Sequence, residues 1–206
     1  MTRIKICGLR EPAHALAAAE AGADFIGLVF APSPRQITVE QAGKVALAIK
    51  NGGYPVQLVG VFVNAPVDEV NRITEVYHLD MVQLSGDESI EYCALVNGPV
   101  IKAVRIGSEK TVKLSKKYTY LLDTQVKGKF GGTGVTFDWS LAKPIARQVP
   151  VIIAGGLTPE NVPEAIRQVA PWGVDVSSGV ETDGAKDIAK IKAFIQAVRR
   201  TDDRRS

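Results

Sequence analysis

The sequence predicts an α/β fold in which eight parallel strands close into one barrel and a helix follows each strand. Eight short runs rich in apolar and β-branched residues recur along the 206 residues. A segment with helical periodicity or a helix-start signal follows each run. The runs are almost continuously apolar, as expected of a parallel sheet buried on both faces. The predicted fold class is therefore a single (β/α)8 TIM barrel with parallel strands.

The predicted elements alternate along the whole chain. The strands are Ile4 to Cys7, Phe25 to Phe30, Gln57 to Val63, Met81 to Leu84, Val100 to Val104, Tyr118 to Leu122, Val151 to Ala154 and Val174 to Val176. The helices are Pro12 to Ala21, Val39 to Lys50, Val67 to Tyr77, Ser89 to Val96, Ser108 to Lys116, Trp139 to Arg147, Pro159 to Val169 and Ile188 to Val198. Residues 1–198 are assigned to one catalytic barrel, and the charged run 199–206 is expected to be a frayed, solvated tail.

An open, doubly wound sheet also alternates strands and helices, so nucleotide-binding motifs help to choose between the two folds. The first predicted strand is followed by Cys-Gly-Leu-Arg-Glu-Pro at positions 7–12 rather than by GxGxxG. The sequence contains no GxxxxGK[ST] motif either. The closed barrel is therefore the favoured fold.

Composition excludes several classes of protein. The 25 Lys and Arg against 22 Asp and Glu give a formal net charge of +3, which does not indicate nucleic-acid binding. Two cysteines cannot form a disulfide framework, and two histidines cannot supply a three-histidine metal site. With neither a signal-peptide pattern nor a bilayer-spanning segment, we expect a cytoplasmic protein without a membrane or nucleic-acid partner and without a bound metal.

Active sites of such barrels lie at the carboxyl ends of the strands, so polar residues at those positions are the candidates. Two loops there are rich in small residues whose backbone amides can approach an anion. The loop after strand seven contains Gly155 and Gly156, and the loop after strand eight contains Ser177, Ser178 and Gly179. Because these are the loops where barrels commonly bind phosphate, a phosphorylated substrate is predicted, although glycines that only turn the chain are the alternative.

A thiol and a carboxyl group end two of the predicted strands. Cys7 ends strand one and shares a face with Lys5, whose ammonium group would favour the thiolate. Asp123 follows strand six, where partial desolvation would raise its pKa toward a value useful for a general acid. The alternatives are a small buried side chain for Cys7 and a helix cap or loop ion pair for Asp123. Asp175 is expected to pair with Lys5, because barrel closure makes strand eight a neighbour of strand one.

Two further features near the predicted barrel mouth have alternative interpretations. Arg35 offers a planar fork suited to a carboxylate, or it is a solvated side chain. The glycine-rich segment from Gly128 to Gly134 is either a mobile loop over the site or a flexible connection.

With these segments identified, the chain resembles the phosphoribosylanthranilate isomerase family of tryptophan biosynthesis over nearly its whole length. The matching motifs are Lys5 to Leu9, Gly27 to Phe30 with Ser33 to Arg35, Val59 to Phe62, Val82 to Leu84, Leu122-Asp123 with Gly131 to Gly134 and Phe137 to Trp139, Ala154 to Leu157 with Asn161-Val162, and Gly173 to Glu181. Each motif is weak alone, but together they are specific. One departure is visible: Gln83-Leu84-Ser85-Gly86 stands where the family usually has Gln-Leu-His-Gly.

The resemblance implies a cofactor-independent Amadori rearrangement of N-(5-phosphoribosyl)anthranilate, in which Cys7 is the general base and Asp123 the general acid. Arg35 is then expected to bind the anthranilate carboxylate. The other expected substrate-binding residues are Gln83, Gly155, Gly156, Asp175, Ser177, Ser178 and Gly179. The expected partner is the small phosphosugar-anthranilate substrate, and the chain is expected to be a monomer or homodimer. Because Ser85 removes neither the acid nor the base, it is expected to change at most substrate positioning or rate.

Three other functions remain alternatives. The histidine-pathway phosphoribosyl isomerase performs the same rearrangement on a larger substrate and uses two phosphate sites, whereas this chain shows one convincing pair of phosphate loops. A ribulose-phosphate epimerase needs histidines at strand ends, where neither His14 nor His78 is predicted. A non-catalytic phosphosugar-binding barrel would keep the glycine loops without needing both Cys7 and Asp123.

Overall fold

A computed structural model describes residues 1–106, 114–124 and 138–204. Eight strands of the described chain form a closed barrel. All eight are parallel, and each pairs with its neighbours in chain order, so that β1 closes the barrel against β8. The strands are β1 (Arg3–Cys7), β2 (Phe25–Val29), β3 (Gln57–Phe62), β4 (Met81–Leu84), β5 (Val100–Ile106), β6 (Thr119–Thr124), β7 (Val151–Ile153) and β8 (Gly173–Val176). The predicted fold class is confirmed.

Helices surround the barrel between successive strands. They are α1 (Pro12–Glu20), α2 (Val39–Gly52), α3 (Val67–Val76), α4 (Ile90–Cys93), α5 (Lys143–Ala146), α6 (Val162–Val169) and α7 (Ile188–Asp203), with 3₁₀ turns at Trp139–Leu141 and Ser178–Val180. A reciprocal capping box between Thr38 and Gln41 begins α2, and Gly53 caps its carboxyl end in the left-handed conformation, with a φ of 67°. No helix in the described part of the chain has the length and apolarity needed to cross a membrane.

Three predicted helices differ from the structure. The one predicted from Trp139 to Arg147 is a 3₁₀ turn at Trp139–Leu141 followed by the one-turn helix α5. The predicted helix from Ser108 to Lys116 falls mainly outside the described residues, and its described end, residues 114–116, is not helical. α4 is only one turn long, with Ser89 capping the N–H of Tyr92. The glycine-rich segment from Gly128 to Gly134 also lies outside the described residues.

A small two-stranded sheet follows the barrel. It consists of β9 (Glu181–Thr182) and β10 (Ala185–Lys186), which pair in antiparallel fashion between β8 and α7. Sequence periodicity does not reveal strands of two residues, and this hairpin was not predicted.

Apolar side chains pack in two layers. The larger layer fills the space between strands and helices, and a smaller cluster, which includes Phe25, Val59, Ile101 and Leu121, packs inside the barrel. Because side chains alternate along a strand, Asp123 shares the inward face of β6 with Leu121. The polar candidates on the strands therefore project into the barrel at its carboxyl end.

The predicted solvated tail is wrong for the residues that follow Val198. α7 continues to Asp203, and Thr201 and Asp202 are buried. The carboxylate of Asp202 accepts hydrogen bonds from the backbone N–H and the hydroxyl of Thr2, at 2.6 and 2.7 Å. The charged residues after Val198 predicted a tail in solvent. The carboxylate of Asp202 instead finds a buried partner in Thr2, at the opposite end of the chain.

Candidate active site

The carboxyl end of the barrel brings Cys7 and Lys5 together with Asp175. Lys5 Nζ lies 2.9 Å from Asp175 Oδ1, and the Lys5 side chain is completely buried. Lys5 and Asp175 are partners in the register between β1 and β8, so the predicted interior salt bridge follows from barrel closure. Cys7 is two residues beyond Lys5 on the same inward face and is also buried.

The thiol of Cys7 is less acidic than the sequence suggested. Burial raises the pKa of Cys7, and this effect outweighs the charge of Lys5, which acts in the opposite direction. Asp175 also raises the pKa of the thiol while pairing with Lys5. The expected direction of the Lys5 effect is therefore confirmed, because Lys5 lowers the pKa of Cys7, but burial outweighs it and the net pKa is raised.

Gly27 is a site residue that the sequence analysis did not identify. A Cβ atom at this position in β2 would lie 2.8 Å from Cys7 Sγ and 3.0 Å from Lys5 Nζ. Real Cβ atoms almost never approach so closely, so a larger residue would displace the thiol or the ammonium group. A glycine inside a predicted strand was the available signal, because it often marks close approach by another group.

Asp123 lies across the barrel mouth from Cys7. It is half-buried on β6 and is the register partner of Arg105 on β5. Two strands, β7 and β8, separate β6 from β1. A substrate between them can therefore face a carboxyl group on one side and a thiol on the other.

The two predicted phosphate loops pack directly against each other. Gly155 and Gly156 have left-handed φ values of 81° and 64°, which glycine adopts at little steric cost. Asn161 shapes this loop, since its amide donates to the carbonyl of Gly156 and accepts from the N–H of Thr158, both at 2.8 Å. A Cβ atom on Gly179 would overlap the carbonyl oxygen of Leu157. The structure therefore brings together Gly155, Gly156, Ser177, Ser178 and Gly179.

Arg35 reaches the same end of the barrel, where it binds a carboxylate of the protein. Its Nε and Nη2 donate to Glu181 Oε1 and Oε2 at 2.6 and 2.8 Å. This hydrogen bonding raises the pKa of Arg35. Lys186 Nζ lies 2.7 Å from Glu181 Oε1. The sequence predicted no role for Glu181 beyond its place at the end of the motif Gly173 to Glu181, and none for Lys186.

Comparison with known proteins identifies the family. A family model described as N-(5'-phosphoribosyl)anthranilate (PRA) isomerase matches residues 4–197. The chain belongs to the phosphoribosylanthranilate isomerase family. It is therefore an enzyme of the aldose-ketose isomerase class, which agrees with the Amadori rearrangement that the resemblance implied.

Relatives within the phosphoribosylanthranilate isomerase family match almost end to end. The N-(5'-phosphoribosyl)anthranilate isomerase of Dehalococcoides mccartyi is 49% identical over 217 residues, covering 100% of this chain and 99% of the relative. That of Roseiflexus castenholzii is 50% identical over 206 residues, covering 95% and 97%. The crystal structure of phosphoribosyl anthranilate isomerase from Thermotoga maritima has a TM-score of 0.85 at 38% identity, covering 97% of this chain and 100% of that one.

A second solved isomerase contains a ligand. It is a complex of phosphoribosyl anthranilate isomerase with reduced 1-(o-carboxyphenylamino)-1-deoxyribulose 5-phosphate. This structure has a TM-score of 0.81 at 37% identity and covers 97% of this chain and 100% of that one.

The departure from the family motif lies on β4 and the residue that follows it. Gln83 is buried, and its Nε2 donates to Ser85 Oγ at 3.0 Å. Gln83 Oε1 has no hydrogen-bond partner among the described residues. Ser85 therefore contacts Gln83, so its side chain is linked to a residue that was predicted to bind substrate.

Proposed function

We propose that this chain catalyses the Amadori rearrangement of N-(5-phosphoribosyl)anthranilate to 1-(2-carboxyphenylamino)-1-deoxyribulose 5-phosphate in tryptophan biosynthesis, with Asp123 as general acid and Cys7 as general base. The observation that carries these roles is the placement of a carboxyl group and a buried thiol across one barrel mouth. Two packed glycine-containing loops lie at the same end.

The first step opens the sugar ring. The carboxyl group of Asp123 donates its proton to the ring oxygen, the bond between that oxygen and C1 breaks, and the nitrogen lone pair forms a protonated Schiff base. Asp123 must therefore be protonated when substrate binds. Its place on the inward face of β6, at the carboxyl end of the barrel, supports this role.

The second step removes the proton from C2. The thiolate of Cys7 takes this proton, and the electron pair of the C–H bond moves toward the Schiff base to give an enolamine. Tautomerisation of the enolamine gives the ketone. Every bond change is matched by a proton transfer within the substrate or with these two residues, so the reaction requires no external oxidant or reductant.

Most of the remaining predicted residues are assigned to the two anionic ends of the substrate. Backbone amides of the loops containing Gly155, Gly156 and Ser177 to Gly179 are assigned to the phosphate. Arg35 is assigned to the aromatic carboxylate, which its planar guanidinium can bind with two parallel hydrogen bonds. Asp175 acts indirectly, since its carboxylate is paired with Lys5. Gln83 is assigned to substrate positioning from the inner face of the barrel.

The test is loss of anthranilate fluorescence after phosphoribosylanthranilate is generated in situ and purified protein is added. We expect turnover by the wild type and losses of about 10²- to 10⁴-fold for Cys7→Ala and for Asp123→Asn, since each removes one general acid or base. Near-normal turnover by either variant would contradict that residue's assigned role. Melting curves of the variants should match that of the wild type.

Two other outcomes would support the alternative functions. Preferential turnover of the larger aminoimidazole substrate would favour the histidine-pathway isomerase, and binding of the phosphosugar without turnover would favour a non-catalytic barrel. Both measurements use the purified wild-type protein of the fluorescence assay.

We further propose a cytoplasmic location and a monomeric or homodimeric state. Two free, buried cysteines support a reducing compartment. One solved relative from Thermotoga maritima is described as a dimeric isomerase converted to monomers. Light scattering would distinguish the two oligomeric states for this chain.

A further inference from the structure

The hairpin after β8 carries two buried charged side chains that the proposed reaction does not use. Glu181 on β9 lies directly opposite Lys186 on β10. The turn between them has left-handed backbone at Asp183 and Gly184, with φ values of 51° and 79°. Left-handed backbone at both central residues is typical of a two-residue type I′ hairpin. This turn therefore places the two charged side chains next to each other.

Contacts with neighbouring residues hold this hairpin at the barrel mouth. An isolated two-stranded hairpin is at best marginally stable in water. Here Lys190 Nζ donates to the backbone carbonyl of Glu181 at 2.7 Å, and Thr182 donates its hydroxyl proton to Asp187 at 2.8 Å. The N–H of Asp187 also donates to the carbonyl of Val180 at 2.9 Å. The position of Glu181 is consequently fixed by α7 and the end of the 3₁₀ turn.

Glu181 binds one edge of the Arg35 guanidinium, and within residues 1–106, 114–124 and 138–204 it accepts from only two of the five donors. A guanidinium has five N–H donors, and Glu181 accepts from Nε and Nη2. The edge formed by Nη1 and the second Nη2 proton has the geometry to bind another carboxylate. Glu181 therefore fixes the plane of the guanidinium without occupying all of its donors.

Lys186 fixes Glu181 in turn. Its side chain is only 6% exposed. Besides the contact with Glu181, Lys186 Nζ donates to the carbonyl of Ser177 at 2.8 Å and lies 3.3 Å from its hydroxyl oxygen. Ser177 Oγ also donates to the carbonyl of Cys7 at 3.1 Å. A continuous set of contacts thus joins a proposed phosphate loop to Arg35.

We propose that Glu181 is a positioning residue that holds the Arg35 guanidinium in the orientation that binds the aromatic carboxylate of the substrate, with Lys186 holding Glu181. This inference rests on the proposed function, which supplies the contact between Arg35 and that carboxylate. The three side chains together carry one net positive charge. Without the carboxylate of Glu181, two cations would lie close together and the guanidinium would lose its orientation.

The test compares two substrates in the Glu181→Gln variant. The first is phosphoribosylanthranilate. The second is phosphoribosylaniline, which is the same aminosugar without the ring carboxylate, and its turnover is measured by chromatography. We expect KM for phosphoribosylanthranilate to increase about 10- to 100-fold, as for loss of a hydrogen bond to a charged group, with kcat changed less than about threefold. KM for phosphoribosylaniline should not change.

Two further variants complete the test. Adding Glu181→Gln to Arg35→Ala should have no additional effect on either substrate if Glu181 acts through Arg35. Glu164→Gln is the matched control, because Glu164 forms an exposed pair with Arg167 at 2.7 Å on α6. It should leave both KM values unchanged.

The failure of this inference differs from the failure of the proposed function. An equal change in KM for both substrates, or no change for either, would overturn the positioning role of Glu181. Because both substrates report on the same preparation, partial unfolding of a variant cannot produce selective loss of one. If the wild type turned over neither substrate, the proposed function itself would be wrong.

Discussion

At the amino end of the barrel, charged side chains join segments that are distant in sequence, whereas at the carboxyl end they surround a buried thiol. Asp24 accepts hydrogen bonds from Arg3, from the N–H of Ile4 and from Arg199, at 2.6 to 3.0 Å. Burial raises the pKa of Asp24, but these donors outweigh it and the net pKa is lowered. Each interaction favours the charged state of Asp24; those from Arg3 and Ile4 connect it to β1, and that from Arg199 connects it to α7.

At the carboxyl end of the barrel, the surroundings of the Cys7 thiol disfavour its charged state. Burial raises the pKa of Cys7, and the positive charge of the neighbouring Lys5 is balanced by the carboxylate of Asp175. The amino end therefore stabilises a charge that is already formed, while the carboxyl end makes formation of a charge costly. A thiol with a raised pKa is rarely ionised at neutral pH, but its thiolate is a stronger base toward carbon acids.

The largest expected difference between the ends is in the titration of Cys7. In a Cys93→Ala background, the ultraviolet absorbance of the thiolate should appear with a midpoint above the usual cysteine value of about 8.5. Adding Asp123→Asn removes the proposed general acid, so residual kcat/KM should increase about tenfold per pH unit below that midpoint. A midpoint below the usual value would contradict the dominance of burial.

The contribution of Lys5 can be separated in the same experiment. Lys5→Met combined with Asp175→Asn removes the ion pair without leaving one buried charge alone. Because the effect of Lys5 on the pKa of Cys7 exceeds that of Asp175 and opposes burial, the midpoint should move to higher pH. A midpoint that moved to lower pH would show that Asp175 dominates.

The next prediction concerns the space around the thiol. Gly27→Ala places a methyl group within 2.8 Å of Cys7 Sγ, and misplacement of a reacting group by about 1 Å can cost about 10²-fold in rate. We therefore expect kcat/KM to fall on the order of 100-fold in the fluorescence assay.

Gly43→Ala is the matched control for Gly27→Ala. Gly43 lies inside α2, where an added Cβ would be 3.7 Å from Tyr77 and would make ordinary contact. This variant should keep wild-type activity and gain roughly 0.5–1 kcal/mol of stability from helix propensity. If both variants kept full activity, the close packing around Cys7 would not matter for catalysis.

How well the sequence predicted each part of the molecule depends on how local the determining interaction is. All eight strands were found, because apolar runs are short local patterns, and the count of eight strands in turn predicted barrel closure. Closure also predicted the pair of Lys5 with Asp175. The direction in which Lys5 shifts the pKa of Cys7 was also correct, but the net rise of that pKa was missed, because it depends on the depth of burial, which a strand pattern does not give.

The missed residues depend on contacts that are distant along the chain. Glu181 meets Arg35 across 146 positions, and Asp202 meets Thr2 across 200. Asp183-Gly184 was a readable hairpin signal, but strands of two residues lack the alternation that normally accompanies it. The charged run after Val198 was misread for the same reason: composition does not show which carboxylate finds a buried partner.

The smallest predicted effect tests the amino end. Asp202→Ala removes the acceptor for two donors of the buried Thr2 and should lower the free energy of unfolding by about 1–3 kcal/mol in urea titrations. Asp203→Ala is the matched control, because Asp203 is adjacent on α7 and exposed. Both variants should keep wild-type kcat/KM, since neither residue is at the carboxyl end of the barrel. Equal stability losses would remove the special role of Asp202, and a loss of activity without a loss of stability would show that the two ends are coupled.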